Sequence, residues 1–426
     1  MPGDKSISHR AAMMAALAEG TSSIRNFSTS ADCAATLSCL EALGVPIQRD
    51  GTDLLITSVG IDGLHEPKAP LDCGNSGTTI RLLAGILAGQ DFISTLTGDE
   101  SLRSRPMQRI IEPLQMMGAK ISSHDGRAPL LIQGHRGLKS IKYELLVASA
   151  QVKSCILLAG LNAQGRTEVI ENQTTRDHTE RMLSSFGVQI ETGKAEREGE
   201  DARFAAVNGP ARLSARDLLI PGDASSAAYF IAAAALLPGS SLEVTDVGVN
   251  PTRVLFLDQL RTMGLDVEIT GAREHNHEPI GTLRVLGLQK QLSRKSDPPM
   301  IIRGLVVPQL IDELPLLAVV GSQIEGGIEI RDAAELRVKE SDRIAATALN
   351  LRAMGADVEE FDDGLRVGGP VELRGAKIDP HGDHRIAMAF AVAALTAKGE
   401  TEISDAECVA VSFPEFFELL DSVVER

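Results

Sequence analysis

The feature that most constrains the fold of this chain is an internal repeat of a helix end. Five times along the sequence, a Leu is followed three residues later by an apolar residue and then by Gly. A Gly directly after an apolar periodic segment is typical of a helix C-terminus, and the β-like segments that follow predict a strand. The copies lie at residues 40–44, 114–118, 183–187, 260–264 and 351–355, with a degenerate sixth copy at residues 416–421.

A second series runs in step with the first. Segments rich in Ala and Leu end near a Gly, and β-like segments such as residues 168–171 and 242–245 follow. Chance spacing of Gly could give one series, but two series in phase indicate six units of roughly 70 residues, each with helix, strand, helix and further strands. The glycines of this second series are Gly20, Gly89, Gly165, Gly239, Gly326 and Gly399.

The length of the chain favours two domains. A chain of 426 residues is too long for one core of ordinary size. Six units therefore predict two α/β domains of three units each, with the boundary near residues 218–223. Units of this size are too large for a thin solenoid, so we expect closed three-fold domains.

Composition excludes several classes of function. The net charge is 42 − 58 = −16, and an acidic chain is a poor candidate for general binding of nucleic acid. No apolar run is long enough to cross a bilayer, and the start MPGDKSISHR is unlike a signal peptide, so we predict a cytoplasmic protein without a membrane segment.

Cysteine and histidine patterns argue against metal and nucleotide sites. The five cysteines include no CxxC pair, which fits a reducing compartment and disfavours both disulfides and zinc. His275 and His277 lie in a polar stretch that we interpret as a solvated loop. Since the sequence contains neither a P-loop nor a GxGxxG motif, it gives no support for a nucleotide cofactor.

Polar residues precede each of the six Ala-rich helices. Ser, Asp and Asn there are ordinary N-caps, and for a single helix that explanation is sufficient. It does not explain the cations, because a cation in the first turn opposes the helix macrodipole. An anion shared between the free N–H groups and these side chains would explain them, so we predict an anion site built from helix starts. The cations are Lys5, Arg10, Arg81, Lys153 and Arg385.

The leaders of the second helices carry further charges, at residues 103–106, 174–178 and 337–343. Lys339 and Arg343 are four residues apart, which predicts one helical face with Glu340 between them. A solvated face is one interpretation. The other is a carboxylate held among cations, kept ionised and available for proton transfer.

These motifs together resemble the 5-enolpyruvylshikimate-3-phosphate (EPSP) synthase family, in its bacterial class II form. The matching stretches occur in the family's order over nearly the whole chain: PGDKSISHR (2–10), GNSGTTIR (74–81), SRP (104–106), SAQVKS (149–154), GDASSAAYF (222–230), RVKESDR (337–343), GDHR (382–385) and SFPEFF (412–417). The resemblance implies two similar α/β domains, each of three βαβαββ units, in an inside-out barrel with the active site in the cleft between them. The domains would be residues 4–221, and residues 1–3 together with 222–426.

The resemblance implies transfer of the enolpyruvyl group of phosphoenolpyruvate to the 5-hydroxyl of shikimate 3-phosphate, with release of phosphate. Both substrates carry a phosphate and a carboxylate, which accounts for the predicted cation cluster. The family's reaction needs neither a metal nor a cofactor, and we expect the protein to act as a monomer and to be a target of glyphosate.

The resemblance also implies roles for individual residues. Lys5, Asp312 and Glu340 would be catalytic: Asp312 would accept the hydroxyl proton, and Glu340 would serve as acid and base on the methylene carbon. The residues expected to bind shikimate 3-phosphate are Lys5, Ser6, Arg10, Ser149, Ala150, Gln151, Thr175, Arg176, Asp312 and Lys339. Those expected to bind phosphoenolpyruvate are Lys5, Asn75, Gly77, Arg105, Gln151, Arg343, His384 and Arg385.

Two positions depart from the family's usual pattern. Ala150 stands where many members have a second Ser, and Val411 where many have a Lys. The nearest rival is the enzyme that transfers enolpyruvyl to UDP-N-acetylglucosamine, but that enzyme normally has a reactive Cys in a mobile loop, and residues 98–105 contain none. A non-enzymatic anion-binding repeat protein is the second alternative, and it would require Asp312 and Glu340 to be dispensable.

Overall fold

The computed structural model describes residues 1–195, 202–287 and 299–424. The chain divides into two compact units. The N-terminal unit is Gly3–Ile220 together with Glu274–Glu278, and the C-terminal unit is Met1–Pro2, Pro221–Arg273 and Pro279–Arg426.

The N-terminal unit contains seven helices and fourteen strands among its described residues. The helices are α1 (Lys5–Leu17), α2 (Ala31–Ala42), α3 (Gly77–Ala88), α4 (Glu100–Ser104), α5 (Gln108–Met116), α6 (Ala150–Gly160) and α7 (His178–Ser185). The strands are β1 (Ala18–Arg25), β2 (Ile47–Asp50), β3 (Asp53–Val59), β4 (Leu71–Asp72), β5 (Ile93–Thr97), β6 (Lys120–His124), β7 (Arg127–Gln133), β8 (Leu138–Lys139), β9 (Lys142–Glu144), β10 (Ala163–Glu171), β11 (Ile190–Lys194), β12 (Arg203–Gly209), β13 (Leu213–Ser214) and β14 (Leu218–Leu219).

The C-terminal unit repeats the same kinds of element. Its helices are α8 (Ala224–Leu236), α9 (Leu255–Thr262), α10 (Val307–Leu310), α11 (Leu314–Gly321), α12 (Arg343–Ala353), α13 (His384–Thr396) and α14 (Phe416–Val423). Its strands are β15 (Ser241–Gly248), β16 (Asp266–His275), β17 (Glu278–Leu286), β18 (Met300–Ile302), β19 (Ile328–Ile330), β20 (Val358–Phe361), β21 (Gly364–Val367), β22 (Lys377–Ile378) and β23 (Glu402–Ile403). The tip of the β16–β17 hairpin belongs to the N-terminal unit.

Four sheets share one strand pattern, which confirms the predicted βαβαββ unit. In each sheet, a short strand pairs in parallel with the strand that follows a buried helix. The strand after the helix also pairs antiparallel with the second strand of a hairpin. The sheet orders are β13-β1-β3-β2, β4-β5-β7-β6, β8-β10-β12-β11 and β18-β19-β21-β20. The remaining two sheets have fewer strands, in the orders β15-β17-β16 and β22-β23. In the first sheet the parallel partners of β1 are β13 and β14, from the far end of the N-terminal unit.

The Ala-rich helices form the centres of the two cores. Every residue of α1 from Ile7 to Leu17 is buried, and so is every residue of α8. Small side chains permit this close packing. The approach of α3 to α6 shows it directly, because a Cβ built on Gly85 would lie 2.2 Å from the carbonyl oxygen of Cys155.

The repeated glycines take the backbone conformation that a helix end requires. Those of the first series all have left-handed φ angles, between 87° and 105°, a conformation that glycine adopts without steric cost. The second series is less regular. Gly20 and Gly165 lie inside β1 and β10 rather than at helix ends, because α1 and α6 pass almost directly into these strands.

In the described part of the chain, no single helix has the length and apolar character to cross a membrane. One bent pair of segments, Gly304–Leu310 and Leu314–Gly321, passes the test of length and composition with a bend of 108°.

Candidate active site

The starts of the Ala-rich helices are capped as the sequence predicts. Side chains at the N-cap accept hydrogen bonds from backbone N–H groups of the first turn in five of the six helices. The sixth, α11, has Pro315 in its first turn instead, where no N–H is needed. The caps are Asp4, Ser76, Ser149, Asp223 and Asp383.

Lys5 is the first residue of α1, and its ammonium group pairs with Asp32 of α2. Nζ lies 2.9 Å from Oδ2, and both side chains are largely buried. Asp32 therefore fixes the position of the ammonium group. Asp32 is 27 residues away and lies in no recognisable motif, so the sequence did not predict this pair.

Arg10 is a buried cation of α1. Within the described residues its guanidinium makes three hydrogen bonds, all to neutral oxygens: 2.7 Å to Thr179 Oγ1, 2.9 Å to Ser154 Oγ and 2.9 Å to the carbonyl of Ser6. Burial lowers the pKa of Arg10 to about 10, against the opposing effect of Glu180 and Asp4. A buried cation whose hydrogen bonds go to neutral acceptors is suited to a bound anion.

A second group of polar residues surrounds the start of α3. Arg105 donates a 2.6 Å hydrogen bond to Asn75 Oδ1, and Arg81 donates a 2.6 Å bond to Gln151 Oε1. A Cβ on Gly77 would lie 2.7 Å from one nitrogen of Arg81 and 3.4 Å from one of Arg105. The absence of a side chain at Gly77 therefore leaves both guanidinium groups room at this helix start.

The residues predicted for the shikimate phosphate lie near the starts of α6 and α7. Ser149 caps α6, and Ala150, its first helical residue, brings no hydroxyl. Thr175 is buried, and its hydroxyl donates a 2.6 Å hydrogen bond to Glu171. Arg176 is half-buried and close enough to Arg10 that its charge contributes to lowering the pKa of Arg10.

In the C-terminal unit, Arg343 is the centre of a cluster of carboxylates. It is the first residue of α12 and is almost completely buried. Its nitrogens lie 2.6 Å from Glu340 Oε2, 2.7 Å from Asp383 Oδ2 and 3.3 Å from Asp312 Oδ1. These carboxylates outweigh the effect of burial and raise the pKa of Arg343, so the guanidinium stays charged.

Arg385 is a second buried cation in this unit, in the first turn of α13. It approaches Asp312 through both the carboxylate, at 3.4 Å, and the carbonyl oxygen, at 3.3 Å. Burial alone would lower the pKa of Arg385, but Asp312 and other anionic groups raise it above its usual value. His384 precedes it and is also buried.

The predicted helical face of Lys339 and Arg343 is wrong. Residues 334–338 form a 3-10 helix, Lys339 is extended, and α12 begins only at Arg343. The reason is the cap: Asp342 accepts from the N–H of Ala345 and so sets the start of α12 after Lys339. Glu340 nevertheless pairs with Arg343. Burial lowers the pKa of the half-buried Lys339.

Asp383 is a second residue of the site whose role the sequence did not predict. Its carboxylate accepts from Arg343 Nε, from Ser341 Oγ at 3.1 Å and from the N–H of Arg385 at 2.9 Å. It therefore ties together the start of α12 and the start of α13. The GDHR stretch contains Asp383, but an Asp at a helix start predicts a cap and not a pair with Arg343, 40 residues away.

Each unit has its own chemical capacity. The N-terminal unit offers buried cations at the starts of helices, which suit carboxylates and phosphates. The C-terminal unit offers carboxylates paired with guanidinium groups, which suit proton transfer beside an anion. Among the described residues, no group of three or more His, Cys, Asp or Glu side chains is arranged to hold a metal ion.

Comparison with known proteins gives one consistent result. The family model for EPSP synthase (3-phosphoshikimate 1-carboxyvinyltransferase) matches residues 1–420. A 3-phosphoshikimate 1-carboxyvinyltransferase of Koribacter versatilis is 52% identical over 426 residues, which cover 100% of this chain and 96% of that protein. One from Geobacter sp. (strain M21) is 49% identical over 428 residues, with the same coverage.

Solved structures agree in fold. An EPSP synthase from Acinetobacter baumannii superimposes with a TM-score of 0.84 at 41% identity, covering 99% of this chain and 94% of its own. The enolpyruvyl transferase NikO from Streptomyces tendae has a TM-score of 0.76 at 19% identity, covering 99% and 93%, which shows a shared fold alone.

Proposed function

The chain belongs to the EPSP synthase family, and on that basis we propose how its residues carry out the family's reaction. The enzyme transfers the 1-carboxyvinyl group of phosphoenolpyruvate to the 5-hydroxyl of shikimate 3-phosphate and releases phosphate, a step in the biosynthesis of aromatic amino acids. The proposed roles are those that the resemblance to the family implies for the matching residues, and the geometry within each unit supports them.

The anions of shikimate 3-phosphate bind mainly to the N-terminal unit in this proposal. Arg10 and Ser6 hold the carboxylate, which the neutral hydrogen-bond partners of Arg10 support. Gln151 lies against the ring, held by Arg81 and by a 2.9 Å hydrogen bond to Thr78. The proposed ligands of the phosphate are Ser149, Ala150 through its backbone, Thr175, Arg176 and Lys339.

The proposed ligands of phosphoenolpyruvate are guanidinium groups and their neighbours at three helix starts. Arg105, with Asn75 and Gly77, comes from the start of α3, and Arg343, His384 and Arg385 come from the starts of α12 and α13. The raised pKa values of Arg343 and Arg385 support these assignments, because both groups stay charged at any working pH. Val411 brings no cation, so the remaining arginines hold the anion without it.

The proton transfers fall to Asp312, Glu340 and Lys5. Asp312 takes the proton of the 5-hydroxyl group. At the same time the oxygen of that hydroxyl group attacks C2 of phosphoenolpyruvate, and Glu340 protonates the methylene carbon. A tetrahedral ketal phosphate results. Glu340 then removes a proton from the new methyl group as the C–O bond to phosphate breaks, and Lys5 donates a proton to the leaving phosphate. The contact of Arg343 with both carboxylates is the observation that carries this assignment.

Arg343 also fixes the position of Glu340. The two groups are 2.6 Å apart, so the guanidinium holds in place the carboxyl group that must reach the methylene carbon both as acid and as base.

The test of the activity is phosphate release from phosphoenolpyruvate with each of two acceptors. We expect release with shikimate 3-phosphate and none with UDP-N-acetylglucosamine. Release only with the UDP-sugar would refute the proposed substrate. That a single copy of the chain suffices for activity stays a prediction, which sedimentation of the active enzyme would check.

A further inference from the structure

Lys153 is a buried charge for which the proposed reaction has no use. Its position at the start of an Ala-rich helix predicted that it would bind an anionic ligand. In the structure its Nζ lies 2.7 Å from Glu180 Oε1 and 3.1 Å from Glu171 Oε2, and its side chain is 1% exposed. Lys153 therefore already has two anionic partners from within the protein.

The first partner, Glu171, holds the segment that follows β10. One of its carboxylate oxygens accepts from the hydroxyl of Thr175 at 2.6 Å and from the N–H of Thr175 at 3.2 Å. Since Lys153 fixes the Glu171 carboxylate, it also fixes the backbone and side chain of Thr175. Arg176 is the next residue, so the backbone from which its side chain extends is held as well.

The second partner, Glu180, lies in the first turn of α7 beside Thr179. Thr179 and Ser154, the neighbours of Glu180 and Lys153, share a 2.6 Å hydrogen bond and both accept from the guanidinium of Arg10. The ion pair and this hydrogen bond thus join α6 to α7 side by side. Both contacts act on the position of Arg10.

Lys153 offsets part of the buried negative charge in this region. Glu171 and Glu180 are buried, and an isolated buried carboxylate is strongly unfavourable. Burial alone would lower the pKa of Lys153, but Glu180 and Glu171 outweigh it and raise the pKa. Lys153 therefore remains charged at neutral pH.

We propose that Lys153 is a positioning residue for shikimate 3-phosphate: through Glu171 it fixes the segment of Thr175 and Arg176, and through Glu180 it fixes the hydroxyl groups that orient Arg10. This inference rests on the proposed assignment of Arg10, Thr175 and Arg176 to that substrate. It predicts a role for Lys153 without contact to either substrate.

The most direct test removes Glu171 rather than Lys153, because Glu171→Ala leaves the pair of Lys153 and Glu180 intact. We expect the KM for shikimate 3-phosphate to rise at least tenfold while the KM for phosphoenolpyruvate changes less than twofold. Glu171→Gln keeps an oxygen that can accept from Thr175, so it should recover part of the affinity. Lys153→Met, paired with Glu180→Gln to avoid an excess of buried negative charge, should give the same split between the two KM values.

The matched control is a lysine whose partner, Glu168, lies on the same strand as Glu171, β10. Lys142 pairs with Glu168 at 3.0 Å, but its side chain is 71% exposed, so Lys142→Met should leave both KM values unchanged. A purely structural role for Lys153 would lower the amount of folded, active enzyme with both KM values unchanged, and that result would overturn the proposal.

A parallel variant separates this inference from the assignment of the substrate site. Arg10→Gln should raise the KM for shikimate 3-phosphate by itself. If it does and the variants of Glu171 and Lys153 do not, the positioning role of Lys153 is wrong. If Arg10→Gln leaves that KM unchanged, the assignment of this site to shikimate 3-phosphate is wrong, and the positioning role is lost with it.

Discussion

Arg343 and Asp383 form an ion pair that solvent does not reach. Nε of Arg343 lies 2.7 Å from Oδ2 of Asp383, and the two side chains are 1% and 0% exposed. Glu340 and Asp312, the other carboxylates on this guanidinium, are 21% and 14% exposed. Asp383 is thus the permanent partner of Arg343, whereas a substrate anion can take the place of Glu340 or Asp312 on the guanidinium.

Removal of the permanent partner should therefore be costly. Asp383→Ala leaves Arg343 without its most buried carboxylate and α13 without its cap, so we expect a loss of about 3–5 kcal/mol in the free energy of unfolding. Denaturant unfolding measures it. Asp258→Ala is the control, because the pair of Asp258 with Arg261 is exposed and should contribute only about 0–1 kcal/mol. Equal losses in the two variants would contradict the distinction.

Glu340→Gln should separate binding from chemistry. The amide is similar in shape and can still accept a hydrogen bond from Arg343, so both substrates should bind with nearly unchanged affinity in calorimetry. It cannot donate or accept the proton, so turnover should fall by about 10²–10⁴-fold. A variant with full turnover would sink the catalytic role of Glu340.

Gly77→Ala should weaken phosphoenolpyruvate selectively. The added methyl group would lie 2.7 Å from Arg81 and 3.4 Å from Arg105, so at least one guanidinium must shift. A shift that costs about 1.4 kcal/mol of binding raises the KM for phosphoenolpyruvate about tenfold. The KM for shikimate 3-phosphate, measured on the same enzyme, is the internal reference. A similar rise in both values would show a general distortion instead.

His9 should make stability depend on pH. It is fully buried, its Nδ1 lies 2.6 Å from Thr36 Oγ1, and burial together with Lys5 and Arg10 lowers its pKa well below the usual value. The unfolded chain then binds a proton at a higher pH than the folded protein. The free energy of unfolding should therefore fall as the pH drops below about 6.5, by at most about 1.4 kcal/mol per pH unit.

The measurement is urea unfolding between pH 7.5 and 5. In His9→Gln the free energy of unfolding should change less steeply with pH than in the native chain, because the contribution of His9 is removed. An unchanged slope in the variant of His9 would contradict the argument.

The sequence predicted those parts of the structure that depend on local rules. Caps such as Ser76 and Ser149 and helix-ending glycines such as Gly44 are determined by neighbours within a few residues, and the repeat revealed them. The contact of Arg343 with Glu340, three residues apart, was within the same reach. The predicted helix through Lys339 failed because Asp342, a better cap, competes for the helix start.

Contacts between distant segments could not be predicted in this way. Asp32 reaches Lys5 across 27 residues, and Asp383 reaches Arg343 across 40, and neither distance follows from a local pattern. For Lys153, the sequence predicted a bound ligand because the distant carboxylates that contact it could not be foreseen. Its place at a helix start suggested a ligand, but carboxylates from β10 and α7 neutralise it within the protein.

The pairing of β1 with β13 and β14 has a consequence for synthesis on the ribosome. β1 ends at Arg25, and its parallel partners begin only at Leu213, roughly 190 residues later. At translation rates of about 5–20 residues per second, that edge of β1 stays uncovered for roughly 10–40 s. During this time the nascent chain exposes an unpaired strand edge. The sheet that contains β1 is therefore the first in the N-terminal unit to emerge and the last to be completed.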